Sequence, residues 1–261
     1  MQRHYNAIVA ILELLFSERR CAIKPRVARY HCVAAARAES RVGNKAVTER
    51  LFHYSLSEWR VSLQPDQGNL AEGRWEIMRK ADDTYELTAS DLVGYLNCRH
   101  LSALERGVAE GALTKPYMRD PFLNTLWSRG LLHEQNYVEH LRKIGLEVVG
   151  IEGAEVTSAA VAETVAAMKK GVQVIVQGAL AQGGWVGRVD ILRRVELPSA
   201  LGDWSYEAAD TKLARETKAG AVLQLCLYSD LIKEVQGFAP KHMSIVVPWS
   251  DFVPQQYRFA D

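Results

Sequence analysis

GRVDILRRV (187–195) and YEAADTKLA (206–214) decide the fold, with AGAVLQLCLYSDLIKEVQG (219–237) directly behind them. The first two runs have the apolar, β-branched character of strands. The third has helical spacing and closes on Gly237. Asp210 and Lys212 stand two residues apart at a strand end, so their side chains share a face. Asp190 lies twenty residues earlier, on the strand expected to pair with that one. Gln224 and Tyr228, four apart on the helix, share a face as well. Two acids, a lysine and a polar helix face meeting at one sheet edge suggest a metal site for phosphodiester chemistry.

The neighbouring segments supply a framework for that edge. VQVIVQGALA (172–181), a QGG turn and WVGRVDILRRV (185–195) form a β-hairpin. LEVVGIE (146–152) is a short strand, and TSAAVAETVAAMKKG (157–171) is an amphipathic helix stopped by Gly171. HMSIVV (242–247) is a further strand, ended by Pro248. Asp120-Pro121 starts a helix that Gly145 ends. Between them Leu126, Gly130, His133, Tyr137, Leu141 and Ile144 fall at three- and four-residue steps, which turns His133 inward. TASDLVGYLNCRHLSALERG (88–107) opens with a weak capping-box pattern, Thr88 followed by Asp91. This order of helices and strands predicts an α/β domain with a mixed sheet.

Bulk properties narrow the functional classes. A net charge of +1 over 261 residues excludes a strongly basic, histone-like binder, although a local patch suffices for phosphate contacts. Four cysteines, at 21, 32, 98 and 226, show no CxxC pair. That argues against a disulfide scaffold and fits a reducing cytoplasm. No run approaches the roughly 18 apolar residues of a membrane span. AIVAILELLF (7–16) is interrupted by Glu13 and lacks an export signal's cleavage site. Residues 1–77 hold twelve Lys and Arg, ten of them Arg, against eight Asp and Glu. This bias sets them apart from the remainder. The division expected is an N-terminal extension over 1–84 and a catalytic domain over 85–261. Three readings of the extension stand side by side: a small helical appendage, a poorly ordered segment, or residues foreign to a natural protein that starts at Met78.

Acid-x-Lys alone is weak, since about one or two are expected by chance in a chain of ordinary composition. Two occur. Asp210-Thr211-Lys212 ends an apolar strand, whereas Glu216-Thr217-Lys218 lies in a charged loop and reads as solvated charge. A hard divalent cation, Mg²⁺ or Mn²⁺, takes oxygen ligands from Asp190, Asp210 and the Thr211 carbonyl, with His133 completing the sphere. Lys212 then orients the attacking water and offsets charge in the transition state. Gly187 is expected to let a phosphate backbone approach. Gln224 hydrogen-bonds a ligand, Lys212 or the nucleic acid, and Tyr228 offers a hydroxyl and a stacking face. Each residue also has an ordinary reading. Asp190 pairs with Arg188 or Arg193, His133 is a hydrogen-bonded core histidine, Cys98 is a small buried hydrophobe, and Gln224 and Tyr228 are chance polarity beside a sheet.

Taken together, His133, Gly187-x-x-Asp190, Asp210-x-Lys212 and Gln224-x-x-x-Tyr228 resemble the PD-(D/E)XK superfamily, and within it the RecB-like nucleases. SDLVGYLNCRHL (90–101) also resembles the opening motif of that branch. The likeness covers about 85–261 and implies a restriction-endonuclease-like core with a mixed central sheet flanked by helices. It further implies metal-dependent DNA hydrolysis in repair or recombination, and a helicase or RNase H-like region or subunit as partner. Many relatives hold a 4Fe-4S cluster through one cysteine in the opening segment and three beyond the last strand. Cys98 matches the first, as a cluster ligand in a longer form. No trio follows, so no cluster is expected from this chain. The end at Asp261, close behind the last expected strand, leaves open a domain truncated at its C-terminus. The alternative to a nuclease is a module of the same fold that binds nucleic acid without turnover.

Overall fold

Alternating burial along the strands shows how the sheet divides two layers of helix. In the computed structural model, residues 78–116, 121–214 and 217–259 are described. The expectations for 1–77, for Asp120 as a helix cap and for Glu216 fall outside them. The chain opens with a hairpin of β1 (Arg79–Ala81) and β2 (Thr84–Glu86), followed by helices α1 (Ala89–Asn97) and α2 (Arg99–Ala109). Helix α3 (Pro121–Lys143), β3 (Val148–Gly150) and helix α4 (Ser158–Lys170) come next. Then come β4 (Val174–Gln182), β5 (Trp185–Val195), β6 (Ser205–Thr211), helix α5 (Ala219–Gln236), β7 (His242–Val246) and β8 (Gln255–Arg258).

Six strands, β3 to β8, form one sheet in sequence order. The antiparallel meander β4-β5-β6 is its centre. β3 is parallel to β4 across α4, and β7 is parallel to β6 across α5. β8 closes the far edge antiparallel to β7. The mixed α/β architecture is therefore as the residue pattern predicts. The turn between β4 and β5 is Gly183-Gly184, both with positive φ (58° and 82°), the two-residue hairpin loop whose twist matches its strands.

Helix α3 covers one face. His133, Tyr137, Val138 and Leu141 are buried there, packed in the layer that holds Val174, Ile191, Ala209 and Val246. The other face carries α1, α4 and α5, with Leu92, Met168, Leu225 and Ile232 over Ile175, Leu192, Ala208 and Ile245. The α3 stripe is shorter than its spacing suggests, because Leu126 and Ile144 at its two ends are exposed.

Three details depart from the sequence reading. The 88–107 segment is two helices, broken at Cys98, whose extended backbone (φ −159°) ends α1 and starts α2. The Thr88 capping box does form: Thr88 N–H donates to Asp91 Oδ2 at 2.8 Å, and Asp91 N–H donates to Thr88 Oγ1 at 3.4 Å. The compact unit also begins earlier than residue 85, since Met78 is buried in the core and its N–H donates to Asp91 Oδ1. QQYR (255–258), without apolar alternation, is a strand that pairing to β7 creates.

Candidate active site

The site arises where the central strands separate. β5 and β6 are paired from Val195↔Ser205 up to Ile191↔Ala209, and no further. The same register brings Asp190 level with Asp210 one residue on. The opposite edge of β5 is also interrupted there: Val176↔Ile191 and Gly178↔Val189 are paired, with Gln177 and Asp190 between them. Gln177 has φ 54°, a left-handed conformation that a glutamine rarely adopts inside a strand. Val189 and Ile191, two residues apart, accordingly pack on opposite faces of the sheet. Asp190 thus leaves the pleat and is free to use its side chain in the gap.

The Asp190 carboxylate takes over the backbone partnering that β5 gives up. Thr211 N–H donates to Asp190 Oδ2 at 3.1 Å, and Thr211 Oγ1 lies 3.3 Å from the same oxygen. Asp190 Oδ1 accepts a 3.4 Å bond from Gln177 Nε2, which also donates to Glu134 Oε1 at 2.7 Å. Arg188, one candidate for neutralising Asp190, instead donates to the carbonyls of Ile151 and Glu155.

Asp210 and Lys212 meet as their spacing requires, with Lys212 Nζ 2.7 Å from Asp210 Oδ2. Asp210 is 1 % exposed, and neither of its oxygens makes a hydrogen bond of good geometry. Oδ2 has the ion pair with Lys212, and the Asp190 carboxylate lies against the same group. Burial raises the Asp210 pKa well above the ordinary value, and the adjacent Asp190 charge adds to the rise. Burial alone would lower the Lys212 pKa, but Asp210, Asp190 and Glu134 outweigh it and the net shift is upward. Lys212 therefore stays an ammonium at neutral pH. Glu134, on α3, is pushed up to about 7 by burial and by the Asp190 charge.

The remaining expected residues divide. His133 is buried, but its Nε2 lies 3.1 Å from the Val246 carbonyl, the same oxygen that accepts Lys212 N–H. That bond engages Nε2 as a donor and leaves Nδ1 as the lone-pair nitrogen of the ring. Among the described residues no three His, Cys, Asp or Glu side chains form a ready-made cation site. Gln224 lines a cleft of about 500 Å³ with Lys212 and Lys218. Ser90, Val93, Gly94 and Asn97 of α1 form another wall of it, so the 90–101 segment and the end of β6 share one cavity. Tyr228 is 3 % exposed and accepts a 2.9 Å bond from Gln224 Nε2. Its ring is no stacking platform for a base, a correction to the sequence reading. The reason is Gly187: a Cβ there would stand 2.5 Å from Tyr228 Cε1. The glycine makes room for the tyrosine ring and not for a phosphate.

Cys98 is exposed at the α1–α2 junction, not a buried hydrophobe. Cys226 is buried beside Met243, and burial pushes its thiol up to about 11. Glu134 and Gln177 are functional candidates that the sequence reading passed over. The adjacency of Glu134 to His133 was the available signal. Nothing in VQVIVQGALA marks Gln177, because its importance comes from a backbone reversal within a strand.

No protein-family model, curated protein or solved structure matches the chain. Among the described residues no helix is long and apolar enough to cross a membrane.

Proposed function

We propose that this chain is a metal-dependent nuclease of the PD-(D/E)XK class, hydrolysing DNA phosphodiester bonds. One observation carries the reading. Asp210 is almost fully buried, with a second carboxylate and a lysine against it, and that lysine lines a cleft. Two carboxylates held this way are costly to ionise together beside a single ammonium. The order of elements supports the same reading: one helix, a three-stranded antiparallel meander, a second helix and a parallel strand. The resemblance implies a mixed central sheet flanked by helices, and this order is compatible with it.

The donor set suits a hard divalent ion, since Asp190, Asp210 and the Thr211 carbonyl are all oxygen ligands. His133 would join them through Nδ1, with Nε2–H held on the Val246 carbonyl. Bound Mg²⁺ or Mn²⁺ would supply Lewis acidity for the scissile phosphoryl group. Lys212 offsets the charge that builds on the phosphoryl oxygens and orients the attacking water. A lysine with a raised pKa is suited to that electrostatic role and not to removing a proton. Thr211 N–H and Gln177 hold Asp190 in place. Gln224 and Lys218 line the cleft where a backbone phosphate would rest.

The test is cleavage of labelled single- and double-stranded DNA and RNA, with Mg²⁺, Mn²⁺ or EDTA. Metal-dependent DNA cleavage lost in Asp210→Asn and in Lys212→Ala supports the proposal. DNA binding without cleavage under any metal condition replaces it with a binding module. A helicase or RNase H-like partner in repair or recombination belongs to the same proposal and is tested by co-purification.

A further inference from the structure

The loop between β7 and β8 carries an exposed tryptophan to the sheet end where Asp210 and Lys212 stand. β7 runs parallel to β6 with Val246 opposite Thr211, and Lys212 N–H donates to the Val246 carbonyl at 3.0 Å. The chain leaves the sheet one residue later, at Val247, which lines the cleft together with Lys212 and Lys218. Trp249 follows two positions on and is 49 % exposed. Indoles are highly buried on average, so one held in solvent beside a cleft points to a ligand.

The loop itself is closely built. Ser250 N–H donates to the Val247 carbonyl at 3.2 Å, closing a turn with Pro248 and Trp249 at its centre. Val253 N–H donates to the Ser250 carbonyl at 2.8 Å, closing a second turn around Asp251 and Phe252. Those two residues have φ of 48° and 63°, a left-handed conformation unfavourable without glycine. Such backbone persists only where its surroundings enforce it. Here the enforcing contact is the Phe252 ring, stacked on α3 with its centroid 4.9 Å from that of His140 and 5.8 Å from that of Tyr137. One aromatic side chain fastens the loop to the helix, while the other, three residues earlier, faces solvent.

The chemistry at this sheet end selects the ligand. Lys212 and Lys218 supply positive charge for a phosphate, whereas Val93, Ile245 and Val247 make other parts of the cleft apolar. Trp249 adds a flat π face. A nucleotide of an unpaired strand has both parts, an anion and an open base face; within a duplex the base faces are already stacked on one another. Tyr228, buried against Gly187, offers no such face. We propose that Trp249 is the stacking platform for an unpaired base of the bound strand. This rests on the nucleic-acid reading above and adds the state of the strand, which that reading leaves open.

The experiment measures binding to the full chain in EDTA, by fluorescence anisotropy, of three labelled probes: a short oligothymidylate, an abasic backbone of equal length, and a blunt duplex. Trp249→Ala should raise the oligothymidylate Kd at least about fivefold, the lower end for loss of one base stacked on an aromatic ring. It should leave the abasic Kd unchanged, because the phosphates are the same. Trp249→Phe keeps a π face and should restore most of the affinity; Trp249→Leu, apolar without one, should not. Metal-free melting checks that each variant is folded. Ile144→Ala removes an equally exposed apolar side chain just ahead of β3, at the opposite end of the sheet, and should change no Kd. An unchanged oligothymidylate Kd in Trp249→Ala overturns the inference. So does wild-type affinity in Trp249→Leu, or an equal loss on the abasic probe or the duplex. Cleavage is scored separately with Mn²⁺. Trp249-dependent binding without cleavage leaves this inference standing and removes the nuclease. Metal-dependent cleavage with oligothymidylate binding unaltered in Trp249→Ala does the reverse.

Discussion

On the proposed reading, Asp210 serves chemistry against stability. It is 1 % exposed and has a second carboxylate beside it, so its ionised form is disfavoured in the metal-free protein. Asp210→Asn removes that burden. In EDTA at pH 8 this variant should melt no lower than wild type, while cleavage is lost; parallel melting and cleavage assays check both. Glu134 has the same sign. Its folded pKa of about 7 lies above the ordinary 4.5, so between these values the folded state binds more protons than the unfolded state. The stability this group contributes is complete below about pH 4.5 and is lost as pH rises through 7. Metal-free melting temperature should therefore fall from pH 5 to pH 8. The fall should be shallower in Glu134→Gln, whose side chain does not titrate. Asp190, Gln177 and Lys212 face this carboxyl, and a slope unchanged in the variant would assign the effect to Asp210 alone.

Among the elements, β5 is the one whose departure from regularity matters most. Its first half pairs with β4 and its second half with both neighbours, and Asp190 sits at the change. Helix α5 is set against β5 by the contact of Gly187 with the Tyr228 ring. Gly187→Ala would force the ring or the helix to move, at about 1–3 kcal/mol for an overpacked core. Urea denaturation should show that loss, and Tyr228→Leu in the same chain should recover much of it. If the glycine served phosphate approach instead, Gly187→Ala would weaken DNA binding without changing the urea midpoint.

On the proposed reading, the molecule as a whole should respond to a divalent ion. Binding to the folded state alone adds about 2.7 kcal/mol at a free ion concentration of 100 Kd. For a domain of this size that corresponds to a rise of about 5–10 °C in melting temperature. Mn²⁺ should produce it in wild type and not in Asp190→Asn. The same rise in both would mean that the ion binds elsewhere on the surface.

Much of this architecture is local and therefore readable from residues in order. The strands at 172–195 and 205–211 show through β-branched alternation, the Gly-Gly hairpin through its demand for positive φ, and the helix ends through Thr88, Gly171 and Gly237. The pairing of Asp210 with Lys212 also follows from a two-residue period alone. What needed the folded chain was everything that crosses between elements. The engagement of His133 with Val246, the tyrosine filling the space above Gly187, and the Glu134–Gln177–Asp190 bridge each join residues at least 13 positions apart. Periodicity states which face a side chain is on, but it is silent on which partner from another element reaches it first. Only packing settles that competition, because the hydrogen bond or contact that forms depends on where strands part and on how far each helix is shifted along the sheet.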